Sequence, residues 1–75
     1  MITKDFLGKE VIDDDANSVG KVSEIDFDAD KGTLNYFVVK TGWTKKNYQV
    51  TFDKISKIGD KVVITIKKDQ IEKKK

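Results

Sequence analysis

Apolar residues along the chain recur with a period of two, and clusters of Gly, Asp, Asn and Ser interrupt them about every eight to twelve positions. This is the pattern of a small all-β sandwich or barrel, in which one face of each strand is buried. Lys9 to Asp13 reads as a first strand and Asp14 to Ser18 as its turn, since short Asp and Asn side chains satisfy local backbone groups. Val19 to Asp28 forms a second strand, and its apolar residues Val19, Val22, Ile25 and Phe27 break strict alternation between Val19 and Val22. A bulge near Lys21 to Ser23 restores the phase, helped by the missing side chain of Gly20.

Asp28 to Gly32 is a turn with Gly32 at the position that needs positive φ, leading into a third strand from Thr33 to Lys40. That strand is apolar on both sides: Leu34, Tyr36 and Val38 alternate with Phe37 and Val39. Thr41 to Lys46 is a loop, after which Tyr48, Val50 and Phe52 alternate with Asn47, Gln49 and Thr51 in a strand buried on one face. Asp53 to Ile58 fits a short helical turn or a short strand. Gly59 and Asp60 turn the chain into a last strand, Lys61 to Lys67. The expected core is Val11, Val19, Val22, Ile25, Phe27, Leu34, Tyr36 and Val38, joined by Val50, Phe52, Ile55, Ile58, Val62, Ile64 and Ile66. The fold class expected is therefore all-β, a six-stranded antiparallel barrel over residues 1–67, followed by a disordered, Lys-rich tail over 68–75.

Composition narrows the chemistry. The 75 residues contain no Cys, no His and no Pro, which removes disulfides, Cys-ligated metals and the commonest general base. A chain this short buries only about 60% of its unfolded surface, and a partner subunit is the stabilising device left open to it. The longest apolar run, Tyr36 to Val39, is far below the length of a membrane span, and the N-terminus does not read as a secretory signal. A cytoplasmic location is the resulting expectation. All 15 basic residues are Lys, which lacks the planar fork that Arg offers to phosphates and guanine edges.

The net charge of +2 conceals an asymmetry: residues 1–30 hold three Lys against nine acids, and residues 31–75 hold twelve Lys against four. Either the fold carries a charge dipole or the halves interleave in space.

The order of motifs resembles the PRC-barrel family. The pieces that carry the resemblance are Leu7-Gly-Lys-Glu-Val-Ile-Asp13, Asn17-Ser-Val-Gly-Lys-Val-Ser-Glu-Ile-Asp-Phe-Asp28 and Gly32-Thr-Leu-Asn-Tyr-Phe-Val-Val-Lys40. Tyr48-Gln-Val-Thr-Phe-Asp-Lys-Ile55 and Ile58-Gly-Asp-Lys-Val-Val-Ile64 follow in the same order. Gly20 anchors the Val-Gly-Lys-Val signature. Many members carry Pro where this chain has Thr51, which puts the loop geometry there in question.

The family occurs in a photosynthetic reaction-centre subunit, in a ribosome-maturation factor and as short stand-alone archaeal proteins, some of them tied to the cell-division apparatus. What the resemblance implies is a protein-binding barrel of the stand-alone kind; no cofactor is expected of this chain.

Three constellations bear on function. Asp13, Asp15 and Asn17, with Glu24 in twelfth position, reproduce ligand places of a calcium loop. However, Ser18 stands where that loop needs Gly, and strands flank it, so a polar hairpin turn explains the same residues. Acids in polar turns have no burial to raise their pKa, and Ser18, Ser23 and Ser56 have no His to activate them, which argues against an enzyme.

Trp43, with Lys45, Lys46 and Tyr48 around it, is either a protein-binding anchor at a loop tip or a cap on the barrel end. Phe37 and Val39, the second apolar face of the third strand, complete the expected protein-binding set. Gly20, Gly32 and Gly59 are the expected structural glycines.

The reading is a non-enzymatic adaptor that forms a homodimer and binds a second protein, in the setting of archaeal cell division. The alternative is an RNA- or ribosome-associated maturation factor, suggested by the basic second half and the resemblance.

Overall fold

A computed structural model of the chain describes residues 3–42, 46–66 and 72–73. One helical turn, α1 (Thr3–Phe6), precedes β1 (Glu10–Ile12), β2 (Ser18–Asp28), β3 (Thr33–Lys40) and β4 (Asn47–Thr51). A 3-10 turn (Phe52–Lys54) leads to β5 (Ile55–Ile58), β6 (Lys61–Ile64) and β7 (Glu72–Lys73). The segment that fitted either a helical turn or a strand is thus one after the other.

The strands form a single sheet in the order β5-β6-β1-β2-β3-β4-β7. The all-β expectation holds, with two changes to the antiparallel barrel: β1 and β6 run parallel, and among the described residues the hydrogen-bonded order is open. The parallel pair arises because β2 to β5 together act as one long crossover between β1 and β6. Most of the tail lies outside the described residues. Within it, Glu72 and Lys73 pair with Gln49 and Tyr48.

Strand β2 carries the curvature. Its apolar spacing runs Val19, Val22, Ile25, Phe27, and the two steps of three coincide with two bulges. Ile12 pairs with Ser18 and Val11 with Gly20, leaving Val19 extra, while Val22 pairs with Val39 and Glu24 with Val38, leaving Ser23 extra. The second bulge lies at the expected place; the first is needed as well to bring both Val19 and Val22 to the inner face. Between them, a Cβ on Gly20 would stand 2.4 Å from the Lys40 carbonyl oxygen and 2.9 Å from its carbon, so only Gly lets β2 and β3 approach there.

The sheet curls over a core of Phe6, Val11, Val19, Val22, Phe37, Val39, Val50, Val62 and Ile64. Phe37 sits at its centre, with ring centroids 5.4 Å from Phe6 and 5.3 Å from Phe52 in edge-on geometry. Ile25, Phe52, Ile55 and Ile66 pack against this cluster, as does Tyr48.

The expected core needs four corrections. Phe37 and Val39, assigned to an interface, are fully buried in the core, because the aromatic cluster selects that face of β3. Leu34 and Phe27 are 54% and 56% exposed, because the β2–β3 ribbon outruns its neighbours. Ile58 is 41% exposed on the terminal strand of the sheet. Tyr36 pairs with Asp26 on the outer face and is only half-buried, outside the core cluster, whereas Val38 on that same face is buried as expected.

The turns follow from side-chain chemistry. Asp13 is buried, and its Oδ1 accepts the backbone N–H groups of Asp15 and Asn17 at 2.9 and 2.8 Å. Its Oδ2 accepts Asn17 Nδ2 at 3.2 Å. Asp28 Oδ1 organises the next turn in the same way, accepting the N–H groups of Asp30 and Lys31, while Gly32 takes φ 69°. Thr51, in place of the family's Pro, has φ −76° and ψ 150°, a backbone that Pro itself would adopt, so the departure leaves the local geometry intact.

Two stability predictions follow from the bulged strand and its turn. Gly20→Ala forces its Cβ onto a backbone carbonyl and is expected to cost about 2–3 kcal/mol, read as a fall in Tm of more than about 10 °C. Asp13→Ala removes the buried acceptor that holds the turn amides of Asp15 and Asn17 and is expected to cost about 1–2 kcal/mol in urea unfolding, with Asp13→Asn losing less.

Candidate functional site

Strand β1 covers β2 only over Ser18–Lys21, and β4 covers β3 only over Tyr36–Lys40. The far end of the β2–β3 ribbon, where Phe27 pairs with Leu34 and Asp28 with Thr33, is therefore a two-stranded arm. A further register shift leaves Asn35 extra, and Asn35 Nδ2 donates to Asp26 Oδ2 at 2.8 Å, which places both on the outer side. Phe27 and Leu34 consequently continue the core-facing side of the ribbon beyond the core itself. More than half of each is open to solvent, and the turn that ends the arm carries Asp28 and Asp30.

At the other end of the ribbon the outer face is basic. Register places Lys61, Glu10, Lys21, Lys40 and Asn47 in one row across β6, β1, β2, β3 and β4. Glu10 is engaged by Lys61 at 3.0 Å. Lys21 and Lys40 stand directly opposite each other. The charge asymmetry of the sequence thus becomes a gradient along the β2–β3 ribbon, from an acidic arm to a basic base.

The expected protein-binding residues divide. Trp43 and Lys45 lie outside the described residues, and Lys46 is exposed with its carbonyl accepting Thr41 N–H at 3.0 Å. Tyr48 pairs with Val39 and packs on the core, which gives it a structural role. Phe37 and Val39 are core residues, as described above.

Of the calcium-like set, Asp13 spends both carboxylate oxygens on N–H donors of its own turn, and Glu24 lies across from Val38 in the sheet. Among the described residues no group of three acids gathers as a cation cage. Ser23 donates its hydroxyl to the Val38 carbonyl at 3.2 Å. The exposed Asp53 carboxyl is held below its ordinary value chiefly by a hydrogen bond from the Thr51 side chain, which outweighs the opposing desolvation, with Lys54 adding a smaller effect.

Sequence reasoning missed the Phe27–Leu34 arm, because both residues obey the strand pattern and nothing in that pattern shows where neighbouring strands end. The signal that marks it is length: β2 runs to 11 residues while β1 has three and β4 five.

Among the described residues no helix is long and apolar enough to cross a membrane. No curated protein matches the chain. The PRC-barrel domain matches residues 3–71, from α1 through β6 and beyond. With that match across nearly its whole length, the chain belongs to the PRC-barrel domain family, whose domains mediate protein interaction and assembly.

Proposed function

We propose that this protein is a non-enzymatic interaction module that pairs with a second copy of itself and holds another protein. The observation that carries this reading is the Phe27–Leu34 pair, left open on the core-facing side of an arm that no strand of the described sheet covers. Two large apolar side chains at the end of a small domain are costly to leave in water, and docking removes that cost.

The acidic fringe of the arm favours a basic landing surface. The exposed Lys57–Ile58 edge of a second copy has that character, combining an apolar side chain, a cation and the outer edge of β5, the terminal strand among the described residues. Reciprocal contacts of this kind give a closed two-fold pair. Support for a non-enzymatic role comes from the chain's lack of His and Cys and from the structural use of Asp13 and Ser23. An assignment to archaeal cell division rests on resemblance to the stand-alone members alone.

The ribosome-associated alternative has the Lys21–Lys40 row in its favour and the absence of Arg against it. Retention of ribosomal RNA that salt removes, in place of a protein partner, decides for that alternative.

Sedimentation at tens of micromolar, where a pair with a Kd near 1 μM is populated, is expected to give a dimer. Phe27→Ser with Leu34→Ser is expected to weaken it about 10- to 100-fold with an unchanged circular dichroism spectrum. A wild-type monomer at that concentration excludes self-association.

A further inference from the structure

A second surface lies at the basic end of the β2–β3 ribbon. Gly8, Lys21, Val22, Ser23, Lys40 and Thr41 line most of an open groove of about 550 Å³. Its charge arrangement is unfavourable by itself. Lys21 and Lys40 are directly opposed in the antiparallel pair β2–β3, and like charges on directly opposite residues destabilise a sheet. The nearest acid in the same row, Glu10, is committed to Lys61. Among the described residues neither Lys21 nor Lys40 is in an ion pair.

The rim is permissive for a chain. Among the described residues, nothing beyond its chain neighbours lies within 4 Å of the position a Cβ would occupy on Gly8, so a backbone can approach the groove there. The groove is open on one side and lies across strands, and its described walls offer Lys ammonium groups in place of a nest of converging backbone N–H groups. That combination suits an extended peptide better than a compact phosphate.

We infer that the Lys21–Lys40 groove is a docking site for an acidic, extended peptide segment of a partner protein, which places carboxylates between the two ammonium groups. The bound segment removes the cross-strand repulsion, so the site is stabilised by the ligand it selects. It is separate from the Phe27–Leu34 arm, at the opposite end of the same ribbon, and does not depend on self-association.

The test is fluorescence anisotropy with a labelled hexaglutamate peptide and its hexaglutamine counterpart at about 50 mM salt, where charge pairing is weakly screened. Wild type is expected to bind the acidic peptide alone, and Lys21→Gln with Lys40→Gln to weaken binding at least about tenfold. Lys31→Gln, which removes an exposed charge in the Asp28–Gly32 turn at the opposite end of the ribbon, is expected to change it less than about twofold.

Lys40→Glu supplies a direct readout of the repulsion. It is expected to abolish binding while raising Tm by about 2–4 °C, since it turns an opposed like-charge pair into an opposite one. The proposal is overturned by the absence of acidic-peptide binding, by equal loss in Lys31→Gln, or by a Lys40→Glu variant that is no more stable than wild type. Displacement of the peptide by inorganic phosphate at low concentration overturns the peptide assignment in favour of a small-anion site.

Discussion

The close approach of β2 to β3 at Gly20 is the constraint on which the rest of the molecule depends. A single sheet of this size has no second layer to pack against, so it must bend until its own inner face meets itself. Bending requires the ladder to be broken at defined places, and the extra residues Val19 and Ser23 do this in β2. Gly20 lies between them, against the Lys40 carbonyl, where any side chain would hold the strands apart. Val11, Val22, Val39 and Val62 then reach one core from four different strands.

The aromatic cluster completes what the curl begins. Phe6 comes from the single helical turn, Phe37 from β3 and Phe52 from the 3-10 turn, so their rings tie together the start, middle and end of the core. Because β3 is apolar on both faces, the choice of which face turns inward rests on these contacts and not on the strand's own pattern. The consequence is functional as well as structural. Phe37 and Val39 are withdrawn from the surface, and Leu34, carried over by the Asn35 bulge, is left on the open arm with Phe27.

Electrostatics follows the same ribbon. The acidic first half and basic second half of the chain partly interleave, as the row Lys61, Glu10, Lys21, Lys40 illustrates. Yet the hairpin turn gathers Asp26, Asp28 and Asp30 at one end, while the opposed lysines gather at the other. A small domain thereby presents two surfaces of different character without further secondary structure, one apolar with an acidic fringe and one basic and grooved.

The sequence alone determined five of the strands, the turns and the family. Period-two alternation located β1 to β4 and β6, and the Asp and Gly residues at 13, 28 and 32 specified turns through local hydrogen bonds and positive φ. The unbroken order of motifs around Gly20 carried the family. These features are local, so they are written in adjacent residues.

Tertiary structure decided what adjacency cannot encode. Alternation on β3 is equally consistent with either face inward, and Phe6 lies in a segment with no periodicity, so the aromatic cluster was illegible. The exposure of Phe27 and Leu34 depends on where β1 and β4 stop, and the confrontation of Lys21 with Lys40 depends on register across a bulge. Each is a relation between residues far apart in the chain, fixed only when the sheet has curled.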